Sequence, residues 1–342
     1  MPERIIRWGI LSTAAINGAL VPGLQAAAGN ELAGVASRVP DKAEQAAAEW
    51  GCRPYSSYDE LLADSSIDVV YNPLPNHLHA EWTIRALEAG KHVLCEKPIA
   101  LSIEEVDAIA TASARSGRLV LEAFMYRHLP RWRRACQLVA EGAIGDPRLV
   151  KVFFAFLVPD EPGNIRFEAE TGGGIIWDMG CYAANMARGM FGAEPYEVFC
   201  YGDARPGQPT ETSVTGVMRF PEGRVAPFSV SFDWRNPHSQ VEVVGTEGWL
   251  ELAGTGFRRE PYTKLVRHHG GEIYVDGVVP VEEVFELADP YTLEVEALGR
   301  AITGEQPLEY TLDDARANTA VCLAMHRSLE LGAPAPVRTW PR

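Results

Sequence analysis

Two stretches of the chain hold side chains suited to chemistry on a hydroxyl-bearing carbon. In Gly172-Gly173-Gly174-Ile175-Ile176-Trp177-Asp178-Met179-Gly180-Cys181-Tyr182 an acid and a phenol stand four residues apart. In Cys95-Glu96-Lys97-Pro98 an ammonium group stands between an acid and a proline, at the end of an apolar run. Taking hydride from a secondary alcohol requires a group that accepts the hydroxyl proton, and the reverse reaction requires one that donates it. Tyr182 can do this if a nearby cation favours its phenolate. Lys97 is the available cation, and it can also hydrogen-bond the developing oxyanion. Asp178 shares a face with Tyr182 if the segment is helical, and can orient the site. The plain alternatives are a buried core phenol for Tyr182, a surface ammonium for Lys97 and a helix-start cap for Asp178.

A third stretch suits a dinucleotide. Gly9-Ile10-Leu11-Ser12-Thr13-Ala14-Ala15-Ile16-Asn17 runs from an apolar segment into a helical one. A dinucleotide-binding turn would carry glycine at Ser12 and Ala14, and glycine or alanine at Asn17. Serine and alanine are small enough to keep a pyrophosphate close to the helix start. About 20 residues further on, where an acid would bind a ribose 2′-hydroxyl, the chain has Ser37-Arg38. An acid there would repel a 2′-phosphate, whereas arginine offers it a charged planar fork. This points to NADP, the alternative being a solvated surface arginine.

The elements that must position these residues follow from periodicity. Apolar strands are expected at 5–11, 32–37, 69–71, 92–95 and 119–121, with helices from about Ala14 to Ala28, after Asp41, from His79 to Ala89 and from Ser102 to Ser116. Alternating strands and helices imply parallel crossovers and a doubly wound sheet. Beyond about Tyr126 the pattern changes to strands at 150–156, 198–201, 214–220, 228–232, 241–244 and 249–252, with glycine turns and few helices between them. That sheet should be largely antiparallel. Two helices, at about 291–302 and 312–331, close the chain, and 158–174 reads as a long loop of the kind that often carries function. The expected division is a nucleotide-binding α/β domain over 1–125 and an α+β domain with a large open sheet over 126–342.

Three ordered motifs, Pro73-Leu74-Pro75-Asn76-His77-Leu78-His79, Glu96-Lys97-Pro98 and the Gly172–Tyr182 stretch, resemble those of the Gfo/Idh/MocA oxidoreductases over essentially the whole chain. Asn76 to His79 and Glu122 to Arg127 are most similar to the branch of dihydrodiol dehydrogenases, glucose–fructose oxidoreductases and sugar ketoreductases. The resemblance implies a Rossmann domain followed by an α/β domain whose open sheet commonly serves dimerisation. It places Lys97 near the nicotinamide and the reacting oxygen, and matches Asp178 to the acid of an Asp-x-Gly element. Tyr182 falls where many members have histidine, and Asn185 replaces an aspartate. The cofactor contacts it implies are Ser12, Thr13, Ala14, Ala15, Ile16, Ser37, Arg38, Pro73, Asn76, His79, Glu96 and Lys97. The substrate contacts are Lys97, Arg127, Asp178 and Tyr182. His79 either lines the nicotinamide pocket or makes a structural hydrogen bond. Arg127 and His128 either face substrate or join an interdomain salt bridge.

Composition bounds the rest. The 342 residues suit about two domains of roughly 150 residues each. The formal net charge of −15, from 31 Lys+Arg against 46 Asp+Glu, disfavours nucleic acid and anionic membranes as partners. The N-terminus runs directly into a strand pattern, with no signal-like segment and no membrane-length apolar run, so a cytoplasmic protein is expected. The six cysteines lack metal-site spacing and are expected to be reduced. His268-His269 are adjacent strand residues pointing to opposite faces, and Trp234 and Trp249 read as core or interface rather than substrate stackers. No metal is expected. The many strands of the second domain leave a broad face that two closing helices are too few to cover, so a homodimer or higher homo-oligomer is expected. The reading is an NADP-dependent oxidoreductase acting on an aldose, a keto-sugar or a cyclic diol. The alternatives are a nucleotide-sugar ketoreductase and a non-catalytic cofactor sensor, the latter disfavoured by the presence of both Lys97 and Tyr182.

Overall fold

The computed structural model describes residues 5–235, 240–253, 262–269 and 281–338. The chain forms two compact units, residues 1–128 with 289–316 and residues 129–288 with 317–342. The sequence pattern assigns 289–316 to the second domain, but the chain returns this segment to the first.

In the first unit six strands, β1 (Ile6–Leu11), β2 (Asn30–Ala36), β3 (Arg53–Tyr55), β4 (Val69–Asn72), β5 (His92–Glu96) and β6 (Val120–Ala123), form a parallel sheet in the order β3-β2-β1-β4-β5-β6. Helices α1 (Asn17–Ala26), α2 (Pro40–Trp50), α3 (Tyr58–Ala63), α4 (His79–Glu88) and α5 (Ile103–Ser116) connect them. Side chains alternate strictly between two apolar layers. Val69, Tyr71 and Leu94 pack with Leu20 and Leu24 of α1, while Val70, Val93 and Cys95 pack with Val106 and Ile109 of α5. Period-two alternation is what a sheet covered on both faces requires. Helix starts are fixed locally. Ser57 Oγ accepts from the Glu60 N–H while Glu60 Oε2 accepts from the Ser56 N–H, and Ser102 Oγ accepts from the Glu105 N–H. Each such cap contributes about 1 kcal/mol. Helix α1 begins at Asn17 rather than near Ala14, because residues 12–16 form the turn itself.

The second unit adds α6 (Pro130–Ala140), α7 (Cys181–Phe191) and a nine-stranded sheet. Its strands are β7 (Pro147–Ala155), β8 (Glu197–Asp203), β9 (Ser213–Arg219), β10 (Val225–Ser231), β11 (Gln240–Gly245), β12 (Gly248–Ala253), β13 (Tyr262–His269), β14 (Val281–Glu286) and β15 (Ala335–Pro336). Their order is β14-β13-β12-β11-β7-β10-β9-β8-β15. Only the β7/β10 pair is parallel among the described strands, so the sheet is mostly antiparallel as expected. One face is buried through Val150, Val152, Phe154, Val198, Met218, Phe228 and Leu250. The other face keeps large apolar groups partly in water. Tyr201 is 72% exposed, Trp234 stacks on Phe153, and Trp249 stacks on His268. The side chain of His269 lies outside the described residues.

Helix α8 (Pro290–Thr303), capped by Asp289, belongs to the first unit, where Val295 and Leu298 enter the layer beneath α1. Helix α9 (Leu312–Leu331) starts in the first unit and continues in the second. All six cysteines are free thiols. Among the described residues no helix is long and apolar enough to cross a membrane.

Candidate active site

In a parallel sheet all carboxyl ends share one edge. Three candidate segments follow such ends: the 12–16 turn after β1, Ser37-Arg38 after β2 and Lys97 after β5. Ser12 adopts φ +77, a left-handed conformation that glycine takes without strain, so the glycine expected there is replaced at a conformational cost. Two bonds hold the turn. The Ser12 N–H donates to Ala36 O at 2.7 Å, and the fully buried Asn17 side chain donates to Ser12 O at 3.0 Å. Asn17 thus locks the position where glycine or alanine was expected. Ser12 Oγ and Asn17 Oδ1 are buried with no hydrogen-bond partner among the described residues. A phosphate at this turn would satisfy Ser12 Oγ, and Thr13 and Ala14 are half-buried and Ala15 exposed beside it. Ile16 is the last residue before α1 and makes no side-chain cap, leaving the helix start without a competing acid.

At the end of β2, Ser37 Oγ accepts from the Val39 N–H and turns the chain, leaving Arg38 exposed. The Arg38 guanidinium lies near the Tyr58 hydroxyl. Burial pushes the Tyr58 pKa up and Arg38 offsets part of that rise. The Tyr58 ring stands edge-on to Trp82, with centroids 4.8 Å apart. Arg38 therefore stands exposed at the end of β2, where a charged planar fork can reach a phosphate.

The Pro73–His79 motif packs largely into the fold. Pro73 is buried, and Asn76 is half-buried in a short 3₁₀ turn over Asn76–Leu78. His79 has its Nδ1 2.7 Å from Pro98 O and its Nε2 2.6 Å from Leu74 O. Burial drives its pKa down to about 4, against the pull of the two carbonyls. The ring ties the β4 turn to the segment after Lys97, which is the structural role among those the sequence left open. The Tyr71 hydroxyl donates to Glu96 Oε1 at 2.6 Å, which fixes the acid beside Lys97. Lys97 is half-buried and is followed by a cis Lys97–Pro98 bond.

Arg127 makes an ion pair within the first unit. Its Nη1 donates to Asp314 Oδ2 at 2.6 Å, its guanidinium lies 4.1 Å from the Tyr310 ring centroid, and all three residues belong to the first unit. His128 stands edge-on to the same tyrosine. Asp314 opposes the burial of Arg127, and the net effect raises its pKa.

In the second unit, Asp178 lies within a π-helical turn, Ile176–Gly180, that runs into α7, where Tyr182 is the second residue. Such turns add a residue to the helical circuit and are frequent at functional sites. Tyr182 is almost fully buried, with its ring centroid 6.4 Å from that of Phe154. Asn185 is fully buried one turn further on. Asp178 Oδ2 accepts from Arg166 Nε at 2.9 Å. Arg166 sits on the 158–174 loop, and the loop is folded back tightly. The Gly173 N–H donates to Glu168 O and the Gly174 N–H to Arg166 O. A Cβ at Gly173 would stand 2.7–2.8 Å from three main-chain oxygens, those of Ile165, Arg166 and Glu168. Glu211 accepts from the Ile176 N–H, and burial raises its pKa. Arg166 and Glu211 escape sequence reasoning because no periodic signal joins a loop residue to an acid 12 positions later.

Comparisons with known proteins agree with this architecture. The model of the oxidoreductase family GFO/IDH/MocA with an NAD-binding Rossmann fold matches residues 6–124, and the GFO/IDH/MocA C-terminal domain matches residues 132–251. An uncharacterized oxidoreductase of Rhizobium meliloti is 39% identical, covering 96% of this chain and 98% of its own. A D-xylose 1-dehydrogenase (NADP(+)) of Haloferax volcanii is also 39% identical, covering 88% of this chain and 90% of its own. Among solved structures, a 3-ketoreductase from Actinomadura kijaniata in complex with NADP and TDP-benzene superposes with a TM-score of 0.85 at 27% identity, covering 95% of this chain and 98% of that one.

Proposed function

The chain belongs to the Gfo/Idh/MocA oxidoreductase family, and on that premise we propose that it is an NADP-dependent enzyme moving a hydride to or from a sugar or cyclic diol carbon. The observation that carries the reading is the shared sheet edge. The open turn at Ser12, the exposed Arg38 and Lys97 all follow carboxyl ends of the same parallel sheet, where open α/β sheets bind ligands. Bound NADP(H) supplies or takes the hydride. Ser12 and Arg38 hold its phosphates, and Lys97 hydrogen-bonds the substrate oxygen. Tyr182 exchanges the hydroxyl proton, and Asp178, held by Arg166, orients the site. Relatives named a D-xylose 1-dehydrogenase and a 3-ketoreductase support a carbohydrate substrate.

The test is NADPH consumption and NADP reduction across aldoses, keto-sugars and cyclic diols, compared with the NAD couple and with Arg38→Asp. Wild type should prefer NADP, and the substitution should cut that preference by roughly ten- to a hundredfold, the value of a charge-assisted contact. A wild-type preference for NAD would overturn the role of Arg38. A second reading, reduction of a keto-sugar carried on a nucleotide, draws on the half-exposed Arg166 as a cation beside the candidate acid. A nucleotide sugar reduced more efficiently than the free sugar would select it.

The assembly we favour is a homodimer built on the outer face of the nine-stranded sheet, whose partly exposed aromatic groups a second copy would cover. A cytoplasmic location fits the free thiols.

A further inference from the structure

The segment from Arg205 to Glu211, between β8 and β9, grips the loop that leads to Asp178, and the contacts run in the same order along both segments. Arg205 Nη2 donates to Val158 O at 2.8 Å, Gln208 Nε2 to Asp160 Oδ1 at 2.7 Å and Thr210 Oγ1 to Arg166 O at 3.2 Å. Glu211 then takes two N–H groups: its O accepts from Ile175 at 2.9 Å and its Oε1 from Ile176 at 3.1 Å. Arg205 is itself fixed, by an ion pair with Asp233, by Phe232 O and by the Phe167 ring, whose centroid lies 5.0 Å from the guanidinium.

Two lines of bonds lead from this strap to Asp178. The first runs through the main chain. The Asp178 N–H donates to Gly174 O at 3.2 Å. Gly174 lies against the Glu211 carboxyl, since a Cβ there would stand 2.8 Å from Oε2 and closer still to Oε1. At φ +105, Gly174 makes a corner that other residues rarely make, and it clears the space that the carboxyl fills. The second line runs through the side chain. Arg166 holds the Asp178 carboxylate, and Arg166 O accepts from the Thr210 hydroxyl and the Gly174 N–H. Both lines end at adjacent residues, Thr210 and Glu211. Of the two, Glu211 bonds the turn itself, at an N–H of the kind that a helix start leaves without an internal partner.

We propose that Glu211 is a positioning residue for hydride transfer: through the Ile176 N–H and the Gly174 corner it sets where the turn holds Asp178 and where α7 begins to carry Tyr182. The inference rests on the reading of Asp178 and Tyr182 as site residues. Glu211 acts through the turn, not on the reacting atoms.

Glu211→Ala and Glu211→Gln in the full chain test this, because glutamine keeps a carbonyl oxygen for the Ile176 N–H and alanine does not. Glu211→Ala should slow single-turnover hydride transfer about a hundredfold, the usual cost of misplacing a reacting group by about an ångström. The Kd for NADP should stay at the wild-type value, because the candidate cofactor residues belong to the first unit. Glu211→Gln should recover most of the rate. Glu211→Asp, which keeps the charge and shortens the reach, should also slow transfer, and it replaces the alanine variant if that chain does not fold. A purely structural acid would lower Tm and leave the rate of the folded enzyme unchanged; that result, or an equal loss of rate in the glutamine and alanine variants, would overturn the proposal. Amide hydrogen exchange checks the anchor without turnover: the Ile176 N–H should exchange faster in Glu211→Ala than in wild type or Glu211→Gln. Equal exchange in wild type and Glu211→Ala overturns the anchor itself. A wild type that turns over no sugar, keto-sugar or diol overturns the functional reading and, with it, the catalytic part of this one.

Discussion

Asp178 and Tyr182 stand four positions apart, yet what holds Asp178 comes from a loop residue 12 positions before it, Arg166. If Tyr182 exchanges the proton, Tyr182→Phe should leave the fold and cofactor affinity intact and slow single-turnover hydride transfer by about 10²–10⁴. A merely structural phenol would instead give near-normal turnover and a slightly lower melting temperature. Combining Tyr182→Phe with Lys97→Ala should cost much less than the sum of the single effects, because groups serving one step are not additive. A different residue governs the pH response of stability. Glu294 is fully buried, and both its carboxyl oxygens lack hydrogen-bond partners among the described residues. Burial holds its pKa well above the ordinary 4.5, the nearby Glu96 adds to the rise, and Arg127 opposes it. The folded chain therefore keeps this proton while the unfolded chain loses it near pH 4.5, so this group's contribution to stability declines as the pH climbs above that value. Glu294→Gln should remove the decline. Thermal melts at pH 5 and pH 8 should show the variant gaining most at pH 8, by about 2–4 °C per kcal/mol recovered. A larger gain at pH 5 would contradict the assignment. The strand-end positions of Arg38 and Lys97 were legible in the sequence. Arg166 and Glu211 were not, because each acts through a partner that only the folded path brings near, and Glu294 was not, because its burial depends on which layer α8 enters.

At the scale of elements, the π-turn at Ile176–Gly180 and the 158–174 loop form one device. The Gly172–Gly174 corner lets the loop fold back until the Arg166 side chain reaches Asp178. Gly173→Ala should push against three carbonyl oxygens and destabilise the corner by about 1–3 kcal/mol. Turnover should fall as Asp178 loses its partner, and a parallel measurement on Arg166→Ala should show the same loss without the change in melting temperature. Equal melting temperatures for wild type and Gly173→Ala would show that the corner has room to relax. Most strands and the longer helices were readable, because alternation and amphipathic period persist over enough residues, as in β1, β9 and α9. The three-residue β3 and six-residue α3 are too short to show a period. The return of α8 to the first unit could not be read either. Its apolar stripe announces a buried helix but not which layer it enters.

For the whole molecule, the proposed dimer rests on the outer face of the nine-stranded sheet. Light scattering at micromolar concentration should give the mass of at least two chains, and Tyr201→Asp, which sets a charge at a 72% exposed aromatic, should shift the protein towards monomer. A wild-type monomer would remove the dimer from the reading. The first unit carries another consequence. Its core is written in two instalments, with the whole of the second unit's sheet strands β7 to β14 between them. On the ribosome, residues 1–128 emerge long before Val295 and Leu298, which complete the layer over β1 and β4. At about 5–20 residues per second, the roughly 160 intervening residues impose a wait of some ten to thirty seconds. During that interval the nascent chain shows the world an unfinished apolar face. Synthesis of this protein thus leans on whatever shelters half-made sheets in its cell, and slowing translation between the two segments should lower the yield of native protein.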